Sequence, residues 1–337
     1  MRCESSLATA AARWLAALAV VAAGLLSIVG SGGGAVGFPP CGPPVCVPPS
    51  PPPPTATITP AYLTVQVGAP TSWTVSVENL PGTLSYRWLR RDAGAASYVE
   101  IAGATAATYG LAAANLADDG ASFLVAVGNG SGFAVQAVAR LVVSATPGLS
   151  FADGEFQPQD WTVAAVEPAA PASAPQVLVE RIETGGNPGA WRRATLAPGS
   201  GSGAAAVFFF SAASVYDPAA SGAVKVIDHA QACGLLAPSE LHSTEISLAI
   251  EQAGRRYVAN TGSDCGLALW AGRAGRASLA ATDFRLFDGP PCGSGESCPD
   301  FTSSGTPMRF GYFDVVYSGP GVPVVHGVDN WQVTVWR

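Results

Sequence analysis

Tyr86-Arg-Trp-Leu89, Tyr98-Val-Glu-Ile-Ala-Gly-Ala-Thr105 and Asp118-Asp-Gly-Ala-Ser-Phe-Leu-Val-Ala-Val127 together decide the fold. Trp88 stands at the centre of an alternating run, and Phe123 opens a second one after the turn pair Asp119-Gly120. Alternation places every second side chain on one face of a strand. Two such strands carrying a Trp and a Phe inward form the middle of a two-sheet sandwich.

The same pattern extends outward on both sides. Tyr62-Leu-Thr-Val-Gln-Val-Gly68 reads as the first strand, and Trp73, Val75 and Val77 alternate on the next. Asn129-Gly130 gives a hairpin signal, and Ala137 to Val143 closes the sheet. Residues 57–145 therefore resemble immunoglobulin-like domains of bacterial proteins. Val75 and Val125 stand where that family has its inter-sheet cysteines, and Phe123 stands where its corner tyrosine usually lies. The expected domain is held by the packing of Trp88. Such modules serve many roles, so the resemblance implies a spacer and no particular activity.

Composition agrees with an all-β chain of more than one domain. The 337 residues are 48% hydrophobic and 12% charged, about half the usual charge content. Gly and Pro are abundant, and the single lysine is Lys225. Short strands and turns suit this mixture better than long solvated helices. A net charge of −7 with no basic stretch argues against a nucleic-acid partner.

Residues 1–37 read as an export signal. The apolar run Trp14–Val29 has the length of a signal core and is short for a membrane span. An uncleaved anchor is the alternative, and the only membrane attachment expected. Residues 38–56 form a proline-rich linker that favours a semi-rigid extended spacer. Apart from Cys3, six cysteines remain. An even number in an exported chain favours disulfides, and proximity suggests Cys41–Cys46, Cys233–Cys265 and Cys292–Cys298. No paired C-x-x-C or histidine spacing points to a metal, and no motif implies a cofactor.

Residues 148–337 are longer and richer in turns. Ile246, Leu248 and Ile250 share a face, as do Met308, Phe310 and Tyr312, and then Trp331, Val333 and Val335. Val207-Phe-Phe-Phe210 reads as a strand buried on both faces. The expectation is a larger antiparallel jelly-roll β-sandwich. Two segments, Gly185-Gly-Asn-Pro-Gly-Ala-Trp-Arg-Arg193 and Val215-Tyr-Asp-Pro-Ala-Ala-Ser-Gly-Ala-Val-Lys-Val-Ile-Asp228, resemble concanavalin-like or laminin-G-like lectin domains. The ending His326-Gly-Val-Asp-Asn-Trp-Gln-Val-Thr-Val335 is similar to their last strand, which returns beside the first, here Leu149–Asp153. The resemblance implies a lectin-like fold and sugar binding.

Sugars stack on aromatic rings and need polar partners for their hydroxyls. Trp191 and Tyr216 adjoin turns that supply Asn187, Arg192 and Asp217, so these five are the candidate ligand-binding residues; core packing is the competing role for the rings. Asp153, Asp329 and Asn330 offer oxygens of the kind calcium takes, although a hydrogen-bonded strand junction is preferred there. Catalysis lacks a constellation. Glu245 and Glu251 share a strand face about 20 Å apart, too far for paired-carboxylate hydrolysis, and a solvated face explains them better. His229, His242 and His326 look isolated, and no G-x-S-x-G occurs. The expected protein is an exported binding protein of the periplasm, cell surface or medium, with a polysaccharide or cell-surface glycan as partner. A structural or adhesive surface protein without a soluble ligand is the alternative, and a glycan-active enzyme comes third.

Overall fold

Runs of β-branched and aromatic residues, punctuated by proline and glycine, form short strands throughout. The computed structural model describes residues 52–130, 133–166, 174–236, 243–260, 263–265, 270, 272–287, 289, 292–293 and 298–337. The expected leader at 1–37, most of the proline-rich linker, Cys41, Cys46 and His242 lie outside the described residues. The described residues fall in one compact unit, Pro51–Arg337.

The first eight strands are β1 (Thr55–Thr59), β2 (Tyr62–Gln66), β3 (Trp73–Glu78), β4 (Ser85–Arg91), β5 (Val99–Glu100), β6 (Thr108–Tyr109), β7 (Ser122–Gly128) and β8 (Phe133–Ser144). They make two sheets, ordered β1-β3-β6 and β2-β8-β7-β4-β5. The Trp88 strand pairs with the Phe123 strand, Trp88 opposite Val125. Strand β2 runs parallel to β8, while the other pairs are antiparallel. This is an immunoglobulin-like sandwich. Two expectations change. The first strand starts at Thr55, inside the expected linker, because Ile58 anchors a run that pairs with β3 before the chain crosses to the other sheet. Trp88 does not hold the core alone. Trp73 lies 4.4 Å from Phe123, and Tyr109 packs against Trp88 at 5.5 Å. The Trp88 indole donates to the Ala106 carbonyl at 2.9 Å. Val75 and Val125 are buried in the cysteine positions.

The second sandwich has β9 (Leu149–Asp153), β10 (Trp161–Val166), β11 (Gln176–Gly186), β12 (Gly189–Ala197), β13 (Ala204–Tyr216), β14 (Val226–Leu235), β15 (Ser243–Gln252), β16 (Arg255–Ala259), β17 (Ser263–Asp264), β18 (Gly272–Leu279), β19 (Phe284–Leu286), β20 (Met308–Tyr317) and β21 (Val324–Trp336), with one short helix, α1 (Pro218–Ser221). One sheet is ordered β10-β13-β20-β15-β16-β19, with β17 beside β15. The other is β11-β12-β21-β14-β18, with β9 beside β21. Every pair within these two sheets is antiparallel. The last strand does return beside the first, Val335 opposite Leu149. The three expected apolar faces on β15, β20 and β21 all enter the core between the sheets. Strand β13 is buried on both faces: Val207 and Phe209 join that core, and Phe208 and Phe210 join a separate cluster on the far side. Disulfides Cys233–Cys265 and Cys292–Cys298 form as expected. In the chain-entropy picture the first contributes about 3–4 kcal/mol.

Polar contacts join the two sandwiches. Lys225, the single lysine, bonds the Val143 carbonyl and pairs with Asp119, both at 2.7 Å. The Asp228 carboxylate accepts from Thr64, the Ser278 backbone N–H and the Trp336 indole.

Candidate functional site

The five residues singled out in the sequence do not converge on a ligand site. Trp191 stands on the outer side of β12, yet it is only 6% exposed. The Trp270 ring packs edge-on against it, with centroids 5.5 Å apart. Each indole N–H is satisfied by a hairpin carbonyl, Trp191 by Thr184 and Trp270 by Gly185, both at 3.0 Å. Gly327 makes the fit possible, since a Cβ there would come within about 3.0 Å of both rings. The expected projecting ring is therefore a packed one, because two indoles that bury each other keep their polar handles bonded.

Arg192 is also interior, 2% exposed. Its guanidinium lies over the rings of Trp161 (4.3 Å), Phe156 (4.8 Å) and Phe209 (5.0 Å) and donates to the Tyr312 hydroxyl at 3.0 Å. Burial pushes the Tyr312 phenol up to about 12, against the lowering effect of Arg192. Tyr216 is 1% exposed and donates to the Gly222 carbonyl. Asp217 caps α1 by accepting from the Ala219 N–H. Asn187 is exposed on its turn, but its backbone N–H and carbonyl bond Asp329 and Asn330.

The junction of first and last strands is hydrogen-bonded. Asp153 accepts the Glu155 and Phe156 N–H groups and the Trp161 indole. Buried Asp329 accepts the Asn187 and Asn330 N–H groups; burial raises its pKa, and those two donors oppose the rise. Nor is His326 isolated. It sits on β21 facing Asp314 on β20, Nε2 to Oδ2 at 2.7 Å, and Thr244 donates to the same carboxylate. His326 and Asp314 are both fully buried, so this cluster ties the two sheets together out of reach of solvent.

The outer face of the other sheet has the shape of a site. Alternation on β15 sends Ile246, Leu248 and Ile250 into the core and leaves Glu245, Ser247, Ala249 and Glu251 on that face. Register adds Phe313 beside Ser247, Val315 beside Glu245, Val258 beside Ala249 and Arg285 beside Val258. Glu251 is not simply solvated, as the sequence suggested. It pairs with Arg309 and Arg256, whose guanidinium groups lie over Phe210 (5.3 Å) and Phe208 (5.2 Å). That end of the face is a closed aromatic cluster. Toward the other end lies a groove of about 280 Å³, lined by Glu245, Ser247, Asn260, Arg285, Phe313 and Tyr317 among others. Tyr317 is 46% exposed. None of these groove residues was among the five ligand-binding candidates; Tyr317 was one of several aromatics of this domain, and Glu245 was weighed only as a catalytic acid. The available signal was the polar half of the 244–251 alternation.

Neither a family model nor a curated protein matches this chain. Among solved structures, the chain is similar to the four N-terminal immunoglobulin domains of Dscam1 isoforms 6.9 and 4.44. Each match has 22% identity, covers 27% of this chain and 21% of that one, and has a TM-score of 0.22. The eight N-terminal immunoglobulin domains of Down Syndrome Cell Adhesion Molecule isoform 1.30.30 match at 12% identity, over 68% of this chain and 36% of that one, with a TM-score of 0.23. The chain thus spans about a fifth to a third of those molecules. At these values the likeness carries no argument, and the fold stands on the strand ladders.

Proposed function

We propose that the chain is an exported, lectin-like binding protein that takes a saccharide in the groove on the outer face of the second sandwich. The observation that carries this reading is the composition of that groove. An exposed phenol and a buried phenyl ring lie on one strand, and a carboxylate, a hydroxyl, an amide and a guanidinium line the rest. Ring faces suit the C–H faces of a sugar, and the polar groups suit its hydroxyls. A volume of about 280 Å³ falls just below the range of ligand pockets, which begins at about 300 Å³. The ligand is therefore short or binds by one end.

Export is supported by the two disulfides, which persist in oxidising compartments. No helix among the described residues is long and apolar enough to cross a membrane. The immunoglobulin-like unit, joined to the second sandwich through Lys225 and Asp228, serves as its support.

A glycan array probed with the exported chain and with Tyr317→Ala tests the proposal. Retention on a defined saccharide is expected, weakened at least tenfold in the variant, with melting temperature unchanged. An array that stays silent while the protein self-associates would favour a structural surface protein instead.

A further inference from the structure

Three guanidinium groups stand on the outer face of the groove-bearing sheet, and they are not equivalent. Arg256 and Arg309 share Glu251 as counter-ion and lie over phenyl rings. Arg285 follows core residue Phe284 on β19, so alternation turns it to the same outer face, and it lines the groove. It is half-buried, and among the described residues it has no ion pair. A guanidinium stays charged at any physiological pH and presents a planar fork of donors. Its best complement is a planar or tetrahedral oxyanion held by two parallel hydrogen bonds.

The strand position that carries the groove's carboxylate is well along the sheet from that of Arg285. Arg285 aligns with Val258, and Val258 with Ala249, four residues along β15 from Glu245. Two strand spacings of about 4.8 Å and four rises of about 3.3 Å separate the two backbone positions by roughly 16 Å. That separation places Glu245 toward the opposite end of the groove from Arg285, with Ser247 among the lining between them. We infer that the groove selects a short anionic saccharide, bound in one direction, with its carboxylate or sulfate on Arg285 and its neutral hydroxyl-bearing end toward Glu245. The inference rests on the saccharide reading above.

Calorimetric titration of the full exported chain with three probes tests it: a uronate disaccharide, the methyl ester of that disaccharide, and a neutral disaccharide bearing one sulfate. At least one anionic probe should bind tenfold or more tighter than the ester, and the tighter of the two identifies the anion. Arg285→Gln should abolish that margin while the ester still binds. Arg285→Lys should restore only part of it, because an ammonium lacks the fork. Arg285 enters its ladder through its backbone, so the melting temperature of both variants should hold. Binding of both anionic probes no tighter than the ester, or a margin that survives Arg285→Gln, overturns this inference and leaves the saccharide reading standing. Failure of all three probes to bind overturns both.

Discussion

Lowering the pH should destabilise the second sandwich through His229. This side chain lies on β14 between the sheets, and its Nε2 is buried without a partner. Burial lowers its pKa from 6.5 to about 4, with Gln231 acting weakly the other way. The folded value is depressed, so between those two pH values the unfolded chain binds the proton and the folded chain does not. Stability is then unaffected above the unfolded value and falls as pH drops through the window. The full difference of about 2.5 pH units corresponds to about 3.4 kcal/mol below pH 4, and to about 2 kcal/mol at pH 5. Other groups titrate in the same range. Burial raises the pKa of Asp228 and Asp329, which opposes the loss on acidification. The decisive quantity is therefore a difference: urea unfolding of wild type and His229→Leu at pH 7, 6 and 5. The stability gap between the two should shift by about 2 kcal/mol in favour of the variant from pH 7 to pH 5. Parallel curves would refute a neutral, buried His229.

Trp191→Ala should cost about 3–5 kcal/mol of stability in chemical denaturation, while the molecules that remain folded bind saccharide normally. A held melting temperature with lost binding would restore Trp191 to a ligand site. His326→Leu leaves the buried Asp314 carboxylate with only the Thr244 hydroxyl and should cost about 3–5 kcal/mol; the double variant His326→Leu/Asp314→Leu should regain most of it. Additive losses in that cycle would show that the two side chains do not interact.

Patterns that are local in the chain were legible in the sequence. Alternation placed Ile246, Leu248 and Ile250, and then Trp331, Val333 and Val335, in one core. The continuous run Val207–Phe210 was correctly read as buried on both faces. Cysteine proximity gave both described disulfides. Features that need two distant segments were not legible. Trp191 looked like a ligand platform because its cover, Trp270, arrives far along the chain from a different loop. His326 looked isolated because Asp314, 12 residues earlier, meets it only once β20 and β21 face each other from opposite sheets. Arg192 looked polar and available, yet four aromatic residues from β10, β13, β20 and the preceding loop enclose it. The groove escaped notice for a related reason. Its lining comes from β15, β16, β19 and β20 and the ends of these strands, and the sheet order that sets them side by side is not the order of the chain.

The central claim is that a saccharide occupies the groove beside Tyr317. It is tested most directly by NMR of the exported chain carrying selectively labelled tyrosine and tryptophan, titrated with the disaccharide that binds best. The Tyr317 ring resonances should move in proportion to occupancy while the Trp191 and Trp270 indole resonances stay fixed. Movement of those indoles with a stationary Tyr317 would place the ligand on the opposite sheet and contradict the account.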